Sequence, residues 1–557
     1  FRALAFTVTT AVLVSLAVAL VLVPLAATFR RARPPRTHKE SRIMREYNRL
    51  VDATLAHRWT APVGLALAIV TIAIVAPRLE RGFLPTMDEG AFVVDYFLPA
   101  GTSLESTEQY ARLLEREIKA TPEVTSYSRR TGAELGPAAA TQAYRGDIMV
   151  RLVPHGARKR SADDVIADLR TRVAHVVPEA RVEFVQVLQD VLNDLAGNPR
   201  PVEVEVLGTD YVKLHEVASA IGAKMRHTPG VVDLYDGQER NAPDVRLSVD
   251  RDATARLGLS PDDVASELDD ALRGRVVGSV RRFDRLVGVR ARYPNPVRYD
   301  RERIIDMPLS TRERVTTLGA VTHVTTSESE PALVHEALQP VVLVTADHEG
   351  RDLGSVSNDV DAILRSTSVP PGYRLVLGGQ AGAERASLKE LLVMTALAAL
   401  LVLTVLAAQF RRLRVAALVL GAVPVAVLGG ALALFVTRVP LNASSLMGGV
   451  LLVGLVVKNG VLLLEHAERA VDNGTDPREA VRLACDRRVR PIAMTTLATL
   501  AGLAPLALGI GAGAELQRPL AIVVMGGLVT STAATLVLIP PVASVLLRAR
   551  SAIRRGE

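Results

Sequence analysis

Seven long apolar runs constrain this chain more than any other feature of its sequence. A helix needs about 20 predominantly apolar residues to cross the roughly 30 Å hydrocarbon core of a bilayer. Each run meets or approaches that length, and the run 61–78 fits it least well. The sequence therefore predicts a polytopic α-helical membrane protein. The predicted spans are 4–28, 61–78, 387–410, 415–436, 440–465, 491–510 and 519–547.

The arginines are concentrated on one side of the predicted spans. The segments 29–49, 410–414, 468–490 and 546–557 are strongly basic, whereas the opposite connections hold one arginine each. Since short cytoplasmic connections carry the excess of Lys and Arg, we expect the C-terminus in the cytoplasm and the segment 79–386 on the outer side. The net charge of +7 is then a topology signal, and nucleic-acid binding is the weaker alternative.

The first apolar run lacks the features of a cleaved signal peptide. Its positive charge follows the apolar residues instead of preceding them, and a cleavage pattern is missing. The orientation places Phe1 on the outer side. Since the chain starts with Phe instead of Met, we expect it to be a fragment whose earlier part is missing.

The outer segment contains an internal repeat of strands and helices. Strand patterns and helical spacing alternate from 92 to 187, and a Ser or Thr precedes the first helix as a cap. This order predicts a ferredoxin-like βαββαβ unit, an α+β sandwich. A second unit begins at 201–237, and the matching closing half follows at 341–379. The residues between these halves, 243–335, are expected to form an inserted subdomain.

These patterns predict eight consecutive regions. They comprise two isolated spans, a basic linker, three outer subdomains, a five-span bundle and a tail. The predicted boundaries are a span at 1–29, the cytoplasmic linker at 30–60, a span at 61–78, the first outer subdomain at 82–199, the second at 200–242 and 336–381, the insert at 243–335, the bundle at 386–548 and the cytoplasmic tail at 549–557.

The sequence carries no motif of enzymatic catalysis. HExxH, GxSxG and P-loop patterns are missing. The glycine-rich stretch 509–514 follows a membrane span instead of a strand, so a nucleotide site is rejected. One cysteine, Cys485, cannot close an intrachain disulfide or form a multi-thiolate metal site. We therefore expect a protein that is not an enzyme and has no cofactor and no resident metal.

Lys458 is the most conspicuous candidate functional residue. It lies within the apolar run 440–465, too deep for its side chain to reach water easily. An ionisable group inside a span is costly and is a functional hypothesis by default. One interpretation is a lysine that snorkels or pairs structurally. The other is a member of a proton relay, in which burial and nearby carboxylates act on its pKa in opposite directions.

Arg488 and Thr495 are the second candidate pair. They are seven residues apart, so they share one face of a helix two turns apart. They could connect the cytoplasmic side to a hydroxyl within the membrane. The alternative for Thr495 is a hydroxyl that bonds to its own helix backbone. Arg490 lies off this face and is expected to anchor the span at the membrane surface. Arg490 and Glu465 fit surface positions better.

Five segments together resemble the resistance-nodulation-division (RND) family of efflux permeases. The resemblance extends over essentially the whole chain, and the heavy-metal subgroup is favoured by the opening of the first segment. These segments are GFLPTMDEGAFVVDYFLPAGTSLESTEQ (82–109), PGVVDLYDG (229–237), GLVVKNGVLLLEHA (454–467), RRVRPIAMTTLATLAGLAPLALGIGAGAE (487–515) and VMGGLVTSTAATLVLIPPV (524–542).

The resemblance implies the fold and the function of the chain. An RND permease has twelve spans in two similar halves, of which this chain would supply spans six to twelve. The outer units would be two periplasmic porter subdomains, and the insert would be half of a docking region. The protein would be a homotrimer in the bacterial inner membrane, driven by the proton motive force and working with a periplasmic adaptor protein and an outer-membrane channel.

The resemblance also implies a role for the candidate residues. Lys458 would engage an acidic pair on the fourth span, which belongs to the half that this chain lacks. Arg488 and Thr495 would occupy relay positions, and Thr496 matches less securely.

The substrate stays open between metal ions and organic compounds. The methionines of the outer segment do not cluster in the sequence, so a thioether relay for soft metals is not visible, and no substrate-binding residue is assigned. A non-exporting membrane protein with RND architecture, such as a secretion accessory or an assembly factor, is the alternative function. The methionines concerned are Met87, Met149, Met225 and Met307.

Overall fold

In the computed structural model the seven apolar runs form helices that are long and apolar enough to cross a membrane. The predicted fold class is therefore confirmed. Part of the predicted linker and the last residues of the predicted tail lie outside the described residues. The structure describes residues 2–28, 42–57, 59–85, 87–132, 142–188, 191, 200–238, 242–298, 300–310, 315–329, 333–511 and 513–554.

Three α-helices among the described residues precede the outer segment. None of the residues 9–26 in the first helix is buried within this chain. The second helix is amphipathic and buries Val51 against the membrane bundle, so it lies at the arginine-rich end of that bundle. These helices are α1 (Arg2–Thr28), α2 (Arg42–Ala56) and α3 (Thr60–Val75).

The first outer subdomain is the predicted βαββαβ unit. Its antiparallel sheet has the strand order β2-β3-β1-β4. Ser103 caps the first helix, and Ser161 forms a capping box with Asp164 at the second. Both helices pack on one face of the sheet, so neither of these described helices covers the opposite face, which is called the helix-free face. The elements are β1 (Ala91–Phe97), α4 (Leu104–Lys119), β2 (Val124–Thr131), β3 (Arg145–Leu152), α5 (Ala162–Val176) and β4 (Arg181–Gln186).

The second outer subdomain starts with one βαβ half and leads into the insert. The insert stands on the antiparallel pair β7 and β12 and has its own small apolar core. Its hairpin β8–β9 is exposed along almost its whole length. The elements are β5 (Val202–Leu207), α6 (Tyr211–Met225), β6 (Val231–Tyr235), β7 (Ala242–Val249), α7 (Arg251–Arg256), α8 (Pro261–Leu272), β8 (Arg275–Arg282), β9 (Arg285–Ala291), α9 (Asn295–Arg298), α10 (Arg301–Ile305), β10 (Pro308–Ser310), β11 (Val315–Thr317) and β12 (Thr322–Ser329).

The chain then returns to complete the second subdomain. The closing strands pair with β5 and β6 in the order β6-β14-β5-β15, the same order as in the first subdomain. The last strand runs directly into the membrane bundle, because Gly378 ends the strand and the next helix starts at Gly379. These elements are β13 (His335–Glu336), β14 (Gln339–His348), α11 (Leu353–Ser366) and β15 (Arg374–Gly378).

The membrane bundle differs from the predicted spans at several helix ends. The first helix starts at Gly379 instead of 387, and the helix predicted from 491 starts at Pro477. Two predicted spans are each divided in two, where Pro424 and the pair Pro540 and Pro541 oppose continuous helical hydrogen bonding. The helices are α12 (Gly379–Phe410), α13 (Leu413–Leu420), α14 (Ala422–Thr437), α15 (Ala443–Asp472), α16 (Pro477–Ala507), α17 (Ala514–Val537) and α18 (Ile539–Arg554).

Glycines bring the bundle helices into close contact, as small residues do in membranes. A Cβ atom at Gly526 of α17 would lie 2.4 Å from the carbonyl oxygen of Gly429 in α14. A Cβ atom at Gly448 of α15 would lie 2.9 Å from the carbonyl oxygen of Leu520. These glycines therefore have a packing role in the bundle.

Candidate functional site

Lys458 lies well inside the membrane part of α15. It is 15 residues after the first helical residue, Ala443, or roughly 22 Å along the axis. Its side chain is exposed in this chain and lines a cavity of about 450 Å³ between α12 and α15. No Asp or Glu is among the described residues that line this cavity, and Gln409 is the other polar residue there. The described lining of this cavity therefore offers Lys458 no acidic partner.

Arg488 and Thr495 lie on the neighbouring helix α16. The charge of Arg488 acts on His466 of α15, so these two residues are near one another at the arginine-rich end. Because Thr495 is seven residues further along an antiparallel helix, it lies within about one helical turn of the level of Lys458. The Nε atom of Arg488 is buried and lacks a hydrogen-bond partner among the described residues.

The hydroxyl groups of Thr495 and Thr496 have different surroundings. Thr495 donates to the carbonyl oxygen of Ile492 in its own helix at 2.9 Å, which is the backbone-bonded alternative. Thr496 is buried and forms a hydrogen bond with Thr532 of α17 at 3.0 Å. Thr496 therefore holds two helices together, and Thr495 is the exposed hydroxyl.

Glu465 and Arg490 occupy the surface positions expected for them. Glu465 forms an ion pair with Arg469 one turn further along α15, and both side chains are exposed. Arg490 is exposed on α16. Neither residue is part of the candidate relay.

A row of carboxylates crosses the helix-free face of the first outer subdomain. Asp95 of β1 is paired with Asp147 of β3 on one side and with Glu183 of β4 on the other. Sequence reasoning missed this row, because the pairing of distant strands determines it.

Arginines engage the carboxylates of this row. Arg130 donates from Nε to both oxygens of Asp147, at 2.9 and 3.0 Å. The buried Glu183 forms ion pairs with Arg200 and, at 3.6 Å, with Arg181. Among the described residues no three His, Cys, Asp or Glu side chains are grouped so that they could hold a metal ion. Guanidinium groups therefore engage Asp147 and Glu183 of this row in this conformation.

The four outer methionines do not form a group. Met225 is buried in the core of the second subdomain and Met307 in the core of the insert. Met149 lies on the helix-free face next to the carboxylate row, and Met87 lines the cleft between the subdomains. These four methionines therefore lie in different parts of the outer segment.

A charged cleft of about 710 Å³ lies between the two outer subdomains. Arg170 of α5 crosses it and forms ion pairs with Asp233, at 2.9 Å, and with Glu349 of the second subdomain. Burial raises the pKa of the Asp233 carboxyl even though Arg170 opposes that shift. Burial also raises the pKa of Asp163 in the cleft wall. The cleft thus combines acidic groups with an arginine that bridges the two subdomains.

Glu203 of β5 is a buried acid at the junction with the membrane bundle. It is 5% exposed, and its Oε2 atom lacks a hydrogen-bond partner among the described residues. Burial, followed by the charges of Glu205 and Glu336, raises the pKa of Glu203 to about 7. Its protonation can therefore change near neutral pH.

Comparisons with known proteins identify the family. The model of the AcrB/AcrD/AcrF family matches residues 1–546. This chain belongs to that family. The resemblance to RND permeases is thereby confirmed.

The similar proteins include metal-resistance and multidrug-resistance proteins. The cobalt-zinc-cadmium resistance protein CzcA of Cupriavidus metallidurans is 30% identical over 97% of this chain and 52% of its own length. The nickel and cobalt resistance protein CnrA of the same organism is 30% identical over 88% of this chain and 47% of its own length. The multidrug resistance protein MdtC of Serratia proteamaculans is 26% identical over 100% of this chain and 55% of its own length.

The solved structures extend this similarity to the fold. A crystal structure of a heavy metal efflux pump has a TM-score of 0.77 and 30% identity, and the match covers 90% of this chain and 51% of the pump. The predicted similarity to the heavy-metal subgroup is consistent with these findings. This chain spans about half the length of the curated relatives that it matches.

Proposed function

We propose that this chain belongs to a proton-driven exporter of divalent metal cations in a bacterial inner membrane, with the outer subdomains in the periplasm. The observation that carries this proposal is the carboxylate row of Asp95, Asp147 and Glu183, which would attract a passing cation without the grouped ligands of a resident metal site. Carboxylate oxygens bind divalent cations such as zinc. Names of relatives that refer to cobalt, zinc, cadmium and nickel support the same substrate class.

The paired arginines suit a cargo site better than a permanent metal site. A transported ion has to bind well enough to enter and weakly enough to leave. In this conformation guanidinium groups occupy Asp147 and Glu183, so an arriving cation would replace a bound positive charge. Exchange of one cation for another keeps these carboxylates compensated throughout.

The same face is poorly suited to large apolar compounds. Its aromatic residue Phe97 lies beneath the guanidinium groups of Arg145 and Arg181, with Arg181 4.0 Å from the ring centre. Sites for organic compounds are predominantly apolar and aromatic, and aromatic residues make up 4% of this sequence. Metal cations are therefore preferred over organic compounds as the proposed substrate.

Coupling to protons is assigned to Lys458, Thr495 and Arg488. Lys458 lies deep in the membrane and faces a cavity whose described lining has no acidic residue. Both observations support the hypothesis that Lys458 pairs with carboxylates elsewhere in the transporter. Thr495 near the same level and Arg488 towards the arginine-rich side would extend the path. A non-exporting protein is not favoured, because the relatives are resistance and efflux proteins.

The insert 243–335 is proposed as the docking region for an adaptor protein and an outer-membrane channel, within a homotrimer. Its hairpin β8–β9 projects with both strands exposed, and Phe283 at the tip is 92% exposed. Exposed apolar side chains beside arginines are typical of contact surfaces.

Metal tolerance of a pump-deficient host tests the substrate. Asp95→Asn with Asp147→Asn in the transporter should remove tolerance to zinc, cobalt and cadmium while the protein level stays unchanged. Glu216→Gln, an exposed carboxylate on α6, is the matched control and should keep tolerance. Unchanged metal tolerance in the double variant, or loss of dye export alone, would contradict the proposal.

A further inference from the structure

An apolar groove of about 680 Å³ separates α3 from the helices α13, α14, α17 and α18. Trp59, Leu65, Ala417, Gly421 and Val545 are among its lining residues, and the described lining contains no charged side chain. The groove is distinct from the cavity beside Lys458, which lies between α12 and α15.

The groove lies in one leaflet of the membrane. On α3 its lining runs from Trp59 to Leu65, six residues or about 9 Å of helix, which is less than half of a hydrocarbon core of roughly 30 Å. Trp59 immediately precedes α3 on the arginine-rich side and is 68% exposed. Because tryptophan is enriched at membrane surfaces, the mouth of the groove lies at the headgroup level of that leaflet.

Arginines stand at the mouth of this groove. Arg414 precedes the lining residues Ala417, Leu418 and Gly421 by three, four and seven positions, so it lies on the same helix face and closer to the membrane surface. Arg548 follows Val545 by three positions on α18. Both arginines are exposed. A phospholipid offers complementary chemistry, with a phosphate at the level of the arginines and an acyl chain at the level of the groove.

We propose that this groove binds one anionic phospholipid of the leaflet on the arginine-rich side, with an acyl chain against Ala417 and its phosphate against Arg414. The preference for a net negative headgroup comes from Arg414 at the rim, because the phosphate of a zwitterionic lipid is already compensated by the positive charge of its own headgroup. This site is independent of the proposed cation export, because it uses none of the residues assigned to cargo or protons.

Trp59 provides a direct probe, since the chain contains one tryptophan. The chain would be reconstituted in lipid nanodiscs that contain phosphatidylglycerol or phosphatidylcholine with brominated acyl chains, which quench indole fluorescence on contact. At equal mole fraction, brominated phosphatidylglycerol should associate with the Trp59 site about fivefold more strongly, the preference expected from one arginine near the surface.

Four variants separate the site from general membrane effects. Arg414→Gln should abolish the preference for phosphatidylglycerol, whereas Arg412→Gln, at the same membrane surface but off the groove face, should keep it. Ala417→Leu should reduce quenching by both lipids because it fills the groove, and Ala396→Leu, an exposed alanine on α12, should not. Circular dichroism and elution volume would verify folding of each variant.

Three results would overturn the proposal. Equal quenching by both lipids in the wild type would show that the groove does not select an anionic headgroup. Persistence of the preference in Arg414→Gln would remove the assigned phosphate contact. Failure of either lipid to quench Trp59 would show that protein covers the groove.

Discussion

Gly379 packs against Glu203 where the second outer subdomain meets the membrane bundle. A Cβ atom at Gly379 would lie 3.0 Å from the Cβ atom of Glu203 and 2.5 Å from the carbonyl oxygen of Arg200. Gly379 also has a φ of +64°, a backbone conformation that suits glycine. Any movement of the outer subdomain relative to α12 therefore acts on the surroundings of Glu203.

Gly379→Ala should lower the free energy of unfolding by more than backbone strain alone would. We expect a loss of about 2 to 4 kcal/mol, which combines strain at positive φ with the clash against Arg200. Gly372→Ala is the matched control, because Gly372 has a φ of +86° with nothing within 4 Å of the added Cβ. Thermal unfolding in detergent measures both variants. Equal losses would show that the contact at Gly379 is unimportant.

Glu203 should make stability depend on pH in a defined direction. Its folded pKa of about 7 is above the ordinary value of 4.5, so ionisation favours the unfolded state. The contribution of Glu203 to the free energy of unfolding is fully present below about pH 4.5 and is lost as the pH rises to about 7. The loss is on the order of 3 kcal/mol.

Glu203→Gln should remove this pH dependence. The variant should be more stable than the wild type at pH 8 and similar to it at pH 4.5, as measured by thermal unfolding across that range. Glu205→Gln is the control. Burial raises the pKa of Glu205 as well, but Glu205 is less buried than Glu203. If Glu203→Gln lost stability at pH 8, the carboxylate would be a stabilising partner and the assignment would be wrong.

Gly526 should tolerate no side chain. Gly526→Ala places a Cβ atom 2.4 Å from the carbonyl oxygen of Gly429, which lies in the backbone of α14 and cannot move aside cheaply. A loss of about 1 to 3 kcal/mol is expected. Gly449→Ala, where nothing lies within 4 Å, should be nearly neutral in the same unfolding measurement. Similar melting temperatures for the two variants would contradict the close contact between α14 and α17.

The membrane architecture could be predicted because its signal is local. Length and apolarity of each run are sufficient to indicate a span. The ends of the helices were less accessible, because a helix such as α16 continues through charged turns outside the hydrocarbon, as far back as Pro477. Hydropathy detects the membrane, whereas helical hydrogen bonding continues beyond it.

The candidate sites also differ in whether the local sequence reveals them. Lys458 was found because a charge inside an apolar run is visible in the sequence alone. Asp95 and Asp147 were missed because they become neighbours only through the register of β1 and β3, and a shift of one residue would turn every side chain to the opposite face. A strand-like segment with one acid on its solvent side is common, so the local pattern does not distinguish a cargo site from a surface strand.

Lys458→Ala should abolish proton-driven export while the protein still folds and inserts. Without the lysine, the acidic partners that we propose elsewhere in the transporter would lose the charge that alternates with proton binding. Arg488→Ala should weaken export. Thr495→Ala should weaken it less, because its hydroxyl is already bonded to Ile492 and water can substitute for it.

Cation uptake into inverted vesicles, driven by a pH gradient, measures these effects on the transporter that contains this chain. We expect at least a tenfold lower rate for Lys458→Ala at equal protein level, which would be determined alongside because loss of a charge partner can also reduce stability. Arg490→Ala removes an exposed arginine of α16 and should transport like the wild type. A well-expressed Lys458→Ala protein with wild-type uptake would reduce this lysine to a structural residue.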